Sequence, residues 1–188
     1  MFSPPTKAQW AAIELLAIDV DGTLTDGSLT FDENGALSQT FHVRDGFAMV
    51  AARQAGLKIA WISGRSSRVA QHRFAELKLH FCHLACSDKS VVLRKLQEQH
   101  GWSVGQCCFV GDDLPDLQGF AVCGLNVAVG DAVPEVKERA HYITAATGGR
   151  GAVREVIELI LKSRGDWEPL VSEMETTDPC AIRENLQR

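Results

Sequence analysis

Apolar residues along this chain are grouped in short continuous runs rather than in an alternating pattern. Strands of a parallel sheet have such runs because both of their faces are covered and neither meets water. The pattern therefore predicts five buried strands, at Leu15–Val20, Leu57–Ser63, Phe81–Cys86, Cys107–Gly111 and Leu125–Val129.

Helix-length segments separate these strands. They are Gly46–Ala55, Ser66–Lys78, Lys89–His100, Leu114–Cys123 and Val133–Arg139, and an amphipathic helix follows at about Gly151–Ser163. Strands that alternate with helices indicate the α/β class, here a doubly wound, Rossmann-like parallel sheet.

Two segments depart from this alternation. The residues from about 28 to 43 resemble a β-hairpin around an Asn34-Gly35 turn, and this hairpin would project from the carboxyl edge of the sheet. Residues 167–188 are polar and lack periodicity, so we expect a loosely held C-terminal extension after a domain of residues 1–166.

Composition excludes several classes of protein. The fractions of hydrophobic (45%) and charged (23%) residues are ordinary for one globular domain of 188 residues. The net charge is −5 and no stretch concentrates Lys and Arg, which argues against a nucleic-acid partner. No apolar run could span a membrane and residues 1–10 do not resemble a secretory signal, so we expect a cytoplasmic protein without a membrane partner.

The six cysteines do not have metal-site spacing. Four of them lie in or beside apolar runs, and Cys107 and Cys108 are adjacent in sequence. We therefore expect buried structural thiols rather than a metal or disulfide framework; the six are Cys82, Cys86, Cys107, Cys108, Cys123 and Cys180.

Aspartates follow two of the predicted strands. Asp19 and Asp21 follow the first, and Asp112 follows the fourth, with Asp113 and Asp116 just beyond it. The first pair alone also fits a capping and a turn aspartate. If the two strands are neighbours, however, the carboxylates converge at one sheet edge, where they repel each other unless a divalent cation lies between them. Oxygen ligands indicate Mg²⁺.

Cationic and hydroxyl groups follow the other two strands. Ser63 and Arg65 follow the second strand and form a candidate anion site, although a helix cap with a solvated arginine has the same sequence. Lys89 opens the helix after the third strand and would by itself be read as a surface charge. At the mouth of a carboxylate and phosphate site, its ammonium would bind a phosphoryl oxygen.

The order of these motifs resembles the haloacid dehalogenase superfamily of aspartyl-phosphate phosphatases, in its subclass without a cap domain. Within it, the chain is similar to the phosphatases of 3-deoxy-D-manno-octulosonate 8-phosphate, enzymes of lipopolysaccharide precursor synthesis. The strings that carry the similarity are Asp19-Val-Asp-Gly-Thr-Leu-Thr-Asp-Gly27, His42-Val-Arg-Asp-Gly46, Ile62-Ser-Gly-Arg65, Val110-Gly-Asp-Asp-Leu-Pro-Asp116 and Gly148-Gly-Arg-Gly-Ala-Val-Arg-Glu155.

The resemblance implies a role for each motif. Asp19 is the expected nucleophile, and Asp21 the acid that protonates the leaving oxygen and then activates water. Mg²⁺ is expected on the Asp19 and Asp112 carboxylates and the Asp21 carbonyl oxygen. Ser63 and Lys89 are expected to hold the phosphoryl group. Asp113 and Asp116 are expected to orient the site without binding the metal.

The resemblance also implies substrate contacts and an assembly. Substrate-binding residues are expected at Asp21, His42, Val43, Arg44, Asp45, Gly46, Arg65, Arg73 and Lys89. Arg73 could equally be a surface charge of a helix, and His42 a hairpin residue without a catalytic duty. The family forms homotetramers in which hairpins pair and a neighbouring subunit helps to cover each site.

One position departs from the family pattern, and this departure leaves the identity of the substrate open. Val50 stands where the family usually has Lys or Arg, so a charge-assisted contact with the sugar carboxylate is lost. Phosphatases of nonulosonic (sialic-type) acid 9-phosphates, or of another sugar phosphate, are therefore alternatives. So are a non-catalytic binding protein and a receiver-type regulatory domain, although in receivers the acceptor aspartate follows a middle strand.

Overall fold

The protein has a parallel β-sheet flanked by helices, as the sequence predicts. The computed structural model describes residues 3–176. Within them six parallel strands form the sheet in the order β5-β4-β1-β6-β7-β8. Their bounds are β1 Leu15–Ile18, β4 Lys58–Ile62, β5 Phe81–His83, β6 Cys107–Gly111, β7 Leu125–Ala128 and β8 Tyr142–Ile143.

Helices of very different length precede, connect and follow these strands. They are α1 Lys7–Ala11, α2 Val43–Gln54, α3 Arg68–Leu77, α4 Lys89–His100, α5 Leu117–Phe120, α6 Pro134–Lys137, α7 Ala152–Arg164 and α8 Trp167–Thr176. Helix α7 packs against α1, α2 and α8, and α4 packs against α5. No helix in the described part of the chain is long and apolar enough to cross a membrane.

The central strands form the core. Every residue of β1, β6 and β7 is buried, and the largest fully buried side chains are Trp61 of β4 and Phe109 of β6. Burial of each large apolar side chain stabilises the fold by about 1.5–3 kcal/mol. The carboxyl ends of β1, β4 and β6 are therefore a rigid platform for the residues that follow them.

The five predicted strands are confirmed, with ends that are up to three residues shorter. The helix expected over Leu114–Cys123 is instead a 3₁₀ turn at Leu114–Asp116 followed by the short helix α5. Three of the described α-helices and strands have no counterpart in the sequence analysis, α1, β8 and α8, and neither has the 3₁₀ turn Val104–Gln106. Of these, α1 and β8 are only two to five residues long, too short for a periodic signal.

The hairpin is present but much smaller than expected. Antiparallel strands β2 Thr30–Phe31 and β3 Leu37–Ser38 flank a turn in which the Asp32 carboxylate accepts hydrogen bonds from two backbone amides. Extension of its second strand to Val43 is wrong, because α2 begins at that residue. Apolar residues of α2 pack on the core from Ala48 onward, and this burial favours helix over strand.

The expected loose extension is wrong for residues 167–176. These residues form α8, and its first residue, Trp167, is only 9% exposed. The Arg154 guanidinium lies 4.7 Å from the Trp167 ring centre and the Lys162 ammonium 5.3 Å, so cation–π contacts hold the helix against α7. The rest of the predicted extension, residues 177–188, lies outside the described residues.

The cysteines of the described chain are free thiols. Cys107, Cys108 and Cys123 are buried, as expected, and burial raises the pKa of the Cys108 thiol well above its usual value. Cys82 and Cys86 are only half-buried, because β5 is the edge strand of the sheet. Cys180 lies outside the described residues.

Candidate active site

The ends of two neighbouring strands bring the key aspartates together. Strand β1 pairs with β6, and the Asp19 amide continues the pairing with a 3.0 Å hydrogen bond to the Val110 carbonyl oxygen. Asp19 and Asp112 therefore follow adjacent strands at one sheet edge. The predicted neighbourhood of the first and fourth strands is confirmed.

The loop after Asp19 is shaped around Asp112. Gly22 has φ +98°, and a Cβ atom at this position would lie 2.1 Å from Asp112 Oδ2, so only glycine fits. The Thr23 hydroxyl donates a 2.9 Å hydrogen bond to Asp112 Oδ1. One Asp112 oxygen is thus held by the loop, and the backbone of the loop passes close to the other.

A second glycine-rich segment supports the same loop from behind. A Cβ atom on Gly148 would lie 1.7 Å from the Gly22 carbonyl oxygen. The Gly149 amide donates a 3.0 Å hydrogen bond to the Thr23 carbonyl oxygen, and Arg150 pairs with Asp26 at 3.6 Å. This close approach explains glycine at position 148.

Lys89 is buried between two aspartates. Its Nζ donates hydrogen bonds of 2.5 Å to Asp19 Oδ1 and 2.6 Å to Asp116 Oδ1. The Lys89 amide donates to Gln118 Oε1 at 2.9 Å, which fixes the start of α4. Burial lowers the pKa of the Lys89 ammonium, but the two carboxylates outweigh burial and the net shift is upward. The lysine therefore carries its charge into the site.

Asp116 supports the site rather than offering a free ligand. Its Oδ2 accepts hydrogen bonds from the amides of Asp112, at 2.7 Å, and Asp113, at 3.1 Å, and its Oδ1 holds Lys89. Although carboxylate oxygens of Asp19, Asp112 and Asp116 lie within 4.8 Å of one another, both Asp116 oxygens are already used. Asp113 is exposed and accepts a hydrogen bond from the next amide in the chain.

The charges of this cluster suit a divalent cation. Burial, then repulsion from Asp116, raises the pKa of Asp112 to about 7. Burial and the same neighbour raise the pKa of Asp19 well above its usual value, against the opposing effect of Lys89. One ammonium does not balance three close carboxylates, so bound Mg²⁺ would relieve the repulsion. The Asp19 and Asp112 oxygens and the Asp21 carbonyl oxygen fit the oxygen-only ligand set that Mg²⁺ prefers.

Hydrogen-bond donors surround the Asp21 carboxylate. Gln39 Nε2 lies 2.6 Å from Asp21 Oδ1, Ser63 Oγ lies 3.3 Å from Oδ2, and Arg65 Nε lies 3.7 Å from Oδ2. Ser63 Oγ also accepts the Arg65 amide hydrogen at 3.1 Å. Ser63 and Arg65, which follow the second predicted strand, therefore lie beside Asp21, the predicted acid.

These side chains enclose one cavity of about 220 Å³, here called the aspartate site. Its lining residues are Asp19, Asp21, Ser63, Gly64, Arg65, Lys89, Asp112, Asp113, Pro115 and Asp116. The predicted nucleophile and the predicted acid, an ammonium and a hydroxyl therefore face one small space, an arrangement suited to phosphoryl transfer.

Other predicted substrate contacts line a separate cavity of about 430 Å³ between α2 and α3. This α2–α3 cavity is lined by Val43, Gly46, Phe47, Val50, Arg73, Glu76, Leu77 and Lys78. The Arg73 guanidinium pairs with Glu76 at 2.7 Å and occupies the space beside Gly46 that a Cβ atom would fill. Within one chain, these residues are not brought to the aspartate site.

Asp45 lines neither of these two cavities, and its predicted substrate contact stays a prediction. Asp45 is 1% exposed, and its two oxygens accept hydrogen bonds from the amides of Gly151, at 3.2 Å, and Arg154, at 2.7 Å. The carboxylate therefore caps the start of α7. His42 lies next to it, with Nδ1 3.9 Å from Asp45 Oδ2, and Arg44 is exposed. Substrate contacts through these two residues stay predictions.

Sequence reasoning missed several residues that shape the site. Thr23 lies within the Asp19–Gly27 motif, and its hydroxyl next to Gly22 could have been predicted to contact the site. Gln39, Ser67 and Gln118 gave no signal, because each comes to the site through tertiary packing. Ser67 Oγ donates a 2.5 Å hydrogen bond to Gln39 Oε1.

Comparison with known proteins agrees with this geometry. Residues 85–157 match the family model of the haloacid dehalogenase-like hydrolases. The curated 3-deoxy-D-manno-octulosonate 8-phosphate phosphatase of Haemophilus influenzae is 38% identical over 153 residues, which is 81% of this chain and 85% of that protein.

Solved structures of the same phosphatase family are also similar to this chain. The phosphatase of the same name from Moraxella catarrhalis, in complex with magnesium ion, phosphate ion and a KDO molecule, is 35% identical with a TM-score of 0.86. The match covers 89% of this chain and 97% of that one. The Yersinia pestis phosphatase is 36% identical with a TM-score of 0.84, over 86% and 88% of the two chains.

Proposed function

The chain belongs to the haloacid dehalogenase-like hydrolases, within them to the 3-deoxy-D-manno-octulosonate 8-phosphate phosphatase family, and we propose that it hydrolyses that phosphomonoester. The products are the free sugar acid and phosphate. The observation that carries the proposal is the convergence of Asp19 and Asp112 at the ends of adjacent strands, with Lys89 bound to Asp19 and Asp21 in the same cavity.

The first half of the reaction phosphorylates the enzyme. An Asp19 carboxylate oxygen attacks phosphorus, and the bond from phosphorus to the sugar oxygen breaks. Asp21 gives its proton to that departing oxygen, which would otherwise leave as a strongly basic alkoxide. Lys89 and Ser63 hold the phosphoryl oxygens as negative charge is redistributed over them.

The second half releases phosphate. Asp21, now ionised, takes a proton from a water molecule whose oxygen attacks the phosphorus of the aspartyl-phosphate. The bond from phosphorus to the Asp19 oxygen breaks and restores the carboxylate. Contacts with Gln39, Ser63 and Arg65 hold the Asp21 carboxyl group in place for this step.

Mg²⁺ is the cofactor of this proposal. The Asp19 and Asp112 carboxylates and the Asp21 carbonyl oxygen would hold it. When bound, it supplies positive charge that neutralises the phosphate and the clustered carboxylates. In the Moraxella catarrhalis relative the structure contains magnesium and phosphate ions.

A homotetramer would unite the two cavities of the chain. The α2–α3 cavity contains Val43, Gly46 and Arg73, all of which the family resemblance assigns to the substrate, yet it is separate from the aspartate site of its own chain. Contribution of this surface to the site of another copy accounts for both observations. The location in the cytoplasm stays a prediction from the sequence.

The sugar that is hydrolysed depends on the cations around the site. Val50 is 4% exposed and lines the α2–α3 cavity, so it gives an apolar wall where the family usually has a cation. This observation favours testing a nonulosonic acid 9-phosphate as the second candidate substrate.

Phosphate release from a panel of substrates tests the proposal. The panel contains 3-deoxy-D-manno-octulosonate 8-phosphate, N-acetylneuraminate 9-phosphate, hexose phosphates and p-nitrophenyl phosphate, each with Mg²⁺ and with EDTA. We expect metal-dependent release with the highest kcat/KM on the octulosonate. A higher kcat/KM on another sugar phosphate would overturn the proposed substrate. Phosphate release without metal, or no release from any substrate, would overturn the proposed mechanism.

A further inference from the structure

Gln39 makes the shortest hydrogen bond to Asp21 in the described part of the chain. Its Nε2 lies 2.6 Å from Asp21 Oδ1, whereas Ser63 and Arg65 both face the other oxygen, at 3.3 and 3.7 Å. The two oxygens of Asp21 are therefore held by different elements. Gln39 follows β3 of the hairpin, and the other two residues follow β4 of the sheet.

The orientation of the Gln39 amide is fixed by a second contact. Gln39 Oε1 accepts a 2.5 Å hydrogen bond from Ser67 Oγ, which itself accepts the Ala70 amide hydrogen at 3.1 Å at the start of α3. Ser67 is 4% exposed, so this anchor is part of the packed structure. Rotation of the amide by 180° would place its oxygen 2.6 Å from a carboxylate oxygen, a repulsive contact. While Asp21 is ionised, only this orientation of the amide satisfies both neighbours.

We propose that Gln39 is a positioning residue that holds the Asp21 carboxyl group where it delivers a proton to the leaving oxygen. This inference rests on the proposed function, in which Asp21 is the acid. Gln39 acts through Asp21 and does not contact the reacting phosphorus. The small exposed hairpin thereby contributes to proton transfer through one amide, anchored on α3.

The leaving group distinguishes positioning from support of the fold. A sugar alkoxide is a poor leaving group and needs the proton from Asp21, whereas p-nitrophenolate leaves without it. Loss of the Gln39 hydrogen bond should therefore slow phosphorylation by the sugar phosphate and leave phosphorylation by p-nitrophenyl phosphate nearly unchanged. A hairpin that merely loosens would slow both reactions.

The test compares first-turnover rates of leaving-group release for the two substrates at saturating Mg²⁺. The variants are Gln39→Met, which removes both hydrogen bonds at similar length, and Gln39→Glu, which keeps the shape but cannot donate to Asp21. Ser67→Ala frees the amide without changing Gln39. Thr40→Val changes the exposed neighbouring residue and is the matched control.

We expect both Gln39 variants to lose about 10- to 100-fold in first-turnover rate on the sugar phosphate and less than about 3-fold on p-nitrophenyl phosphate. Ser67→Ala should show a smaller loss with the same substrate dependence, and Thr40→Val should match the wild type. Equal losses on both substrates, or no loss on either, would overturn the role of Gln39. Activity of the wild type on both substrates tests the proposed function separately.

Discussion

The aspartate site and the α2–α3 cavity differ in what one chain can do with them. The aspartate site is the smaller, about 220 Å³ against about 430 Å³, yet it contains the proposed nucleophile, the proposed acid and the Lys89 ammonium. The α2–α3 cavity is lined by apolar side chains and by three charged residues, Arg73, Glu76 and Lys78, of which the first two pair with each other. Size therefore does not identify the reactive cavity here.

The two regions also differ in how they are built. Side chains of the aspartate site follow β1, β4 and β6, with Lys89 at the start of α4 after β5, and Asp116, Thr23 and Gln39 hold them through hydrogen bonds. The α2–α3 cavity lies between two helices with Val43 74% exposed beside it. The proposed catalytic groups thus lie together within one chain, whereas the proposed contacts with the sugar lie in a separate cavity.

Loss of the nucleophile gives the largest effect and tests the aspartate site alone. Asp19→Asn keeps the size of the side chain but removes the charge that attacks phosphorus. We expect kcat to fall by more than about 10³-fold on every phosphomonoester, measured by phosphate release. A thermal melt controls for folding. Release within about 10-fold of the wild type in a folded variant would contradict the covalent mechanism.

Removal of the Asp112 carboxylate tests whether this residue binds Mg²⁺ and whether its charge destabilises the fold when no metal is bound. Asp112→Asn removes one of the repelling carboxylates, so we expect a higher Tm than the wild type in EDTA, together with loss of most of the rise in Tm on addition of Mg²⁺. Differential scanning fluorimetry measures both changes. If the variant responds to Mg²⁺ as the wild type does, Asp112 is not a ligand.

A change beside the α2–α3 cavity should affect stability rather than chemistry. Asp45→Ala leaves the amides of Gly151 and Arg154 buried without their acceptor, at a cost of about 1–3 kcal/mol for each group. We expect a matching loss in the free energy of urea unfolding and little change in KM of the folded protein. Asp45→Asn, which keeps one acceptor oxygen, should lose less. A large rise in KM without loss of stability would contradict this role and indicate that Asp45 contacts the substrate.

The smallest effect tests whether the α2–α3 cavity serves the site of another copy. Arg73→Gln removes a cation that the family resemblance assigns to the substrate. We expect KM for the sugar-acid phosphate to rise by about 10-fold, the size of one charge-assisted hydrogen bond, with kcat nearly unchanged. Glu76→Gln, which breaks the same ion pair without removing the cation, is the control. An unchanged KM for Arg73→Gln would confine catalysis and recognition to the aspartate site.

Short-range patterns predicted the parts of the molecule that local chemistry determines. Continuous apolar runs gave the central strands, and the acids that follow two of them gave Asp19 and Asp112 as neighbours, because parallel strands align their carboxyl ends. Lys89 was predicted only because its position after a strand placed it beside those acids. Its two ion pairs agree with that reasoning.

Long-range packing determined the parts that the sequence could not supply. Asp45 lies in a motif that resembles a substrate contact, but its role depends on the start of α7, 106 residues further along the chain. Gln39 has no distinguishing neighbours, and its contact with Asp21 arises from the path of the hairpin. The contact of Trp167 with Arg154 orders a segment whose own composition is polar.

The most direct test of the aspartyl-phosphate is to trap it on Asp19. Asp21→Asn retains the nucleophile but lacks the base for the second half, and p-nitrophenyl phosphate needs no acid in the first. With Mg²⁺, we expect one equivalent of p-nitrophenolate in a burst, followed by borohydride reduction of the trapped adduct to homoserine at position 19, read by peptide mass spectrometry. A burst with the adduct on another residue, or steady release with residue 19 unmodified, would contradict the account.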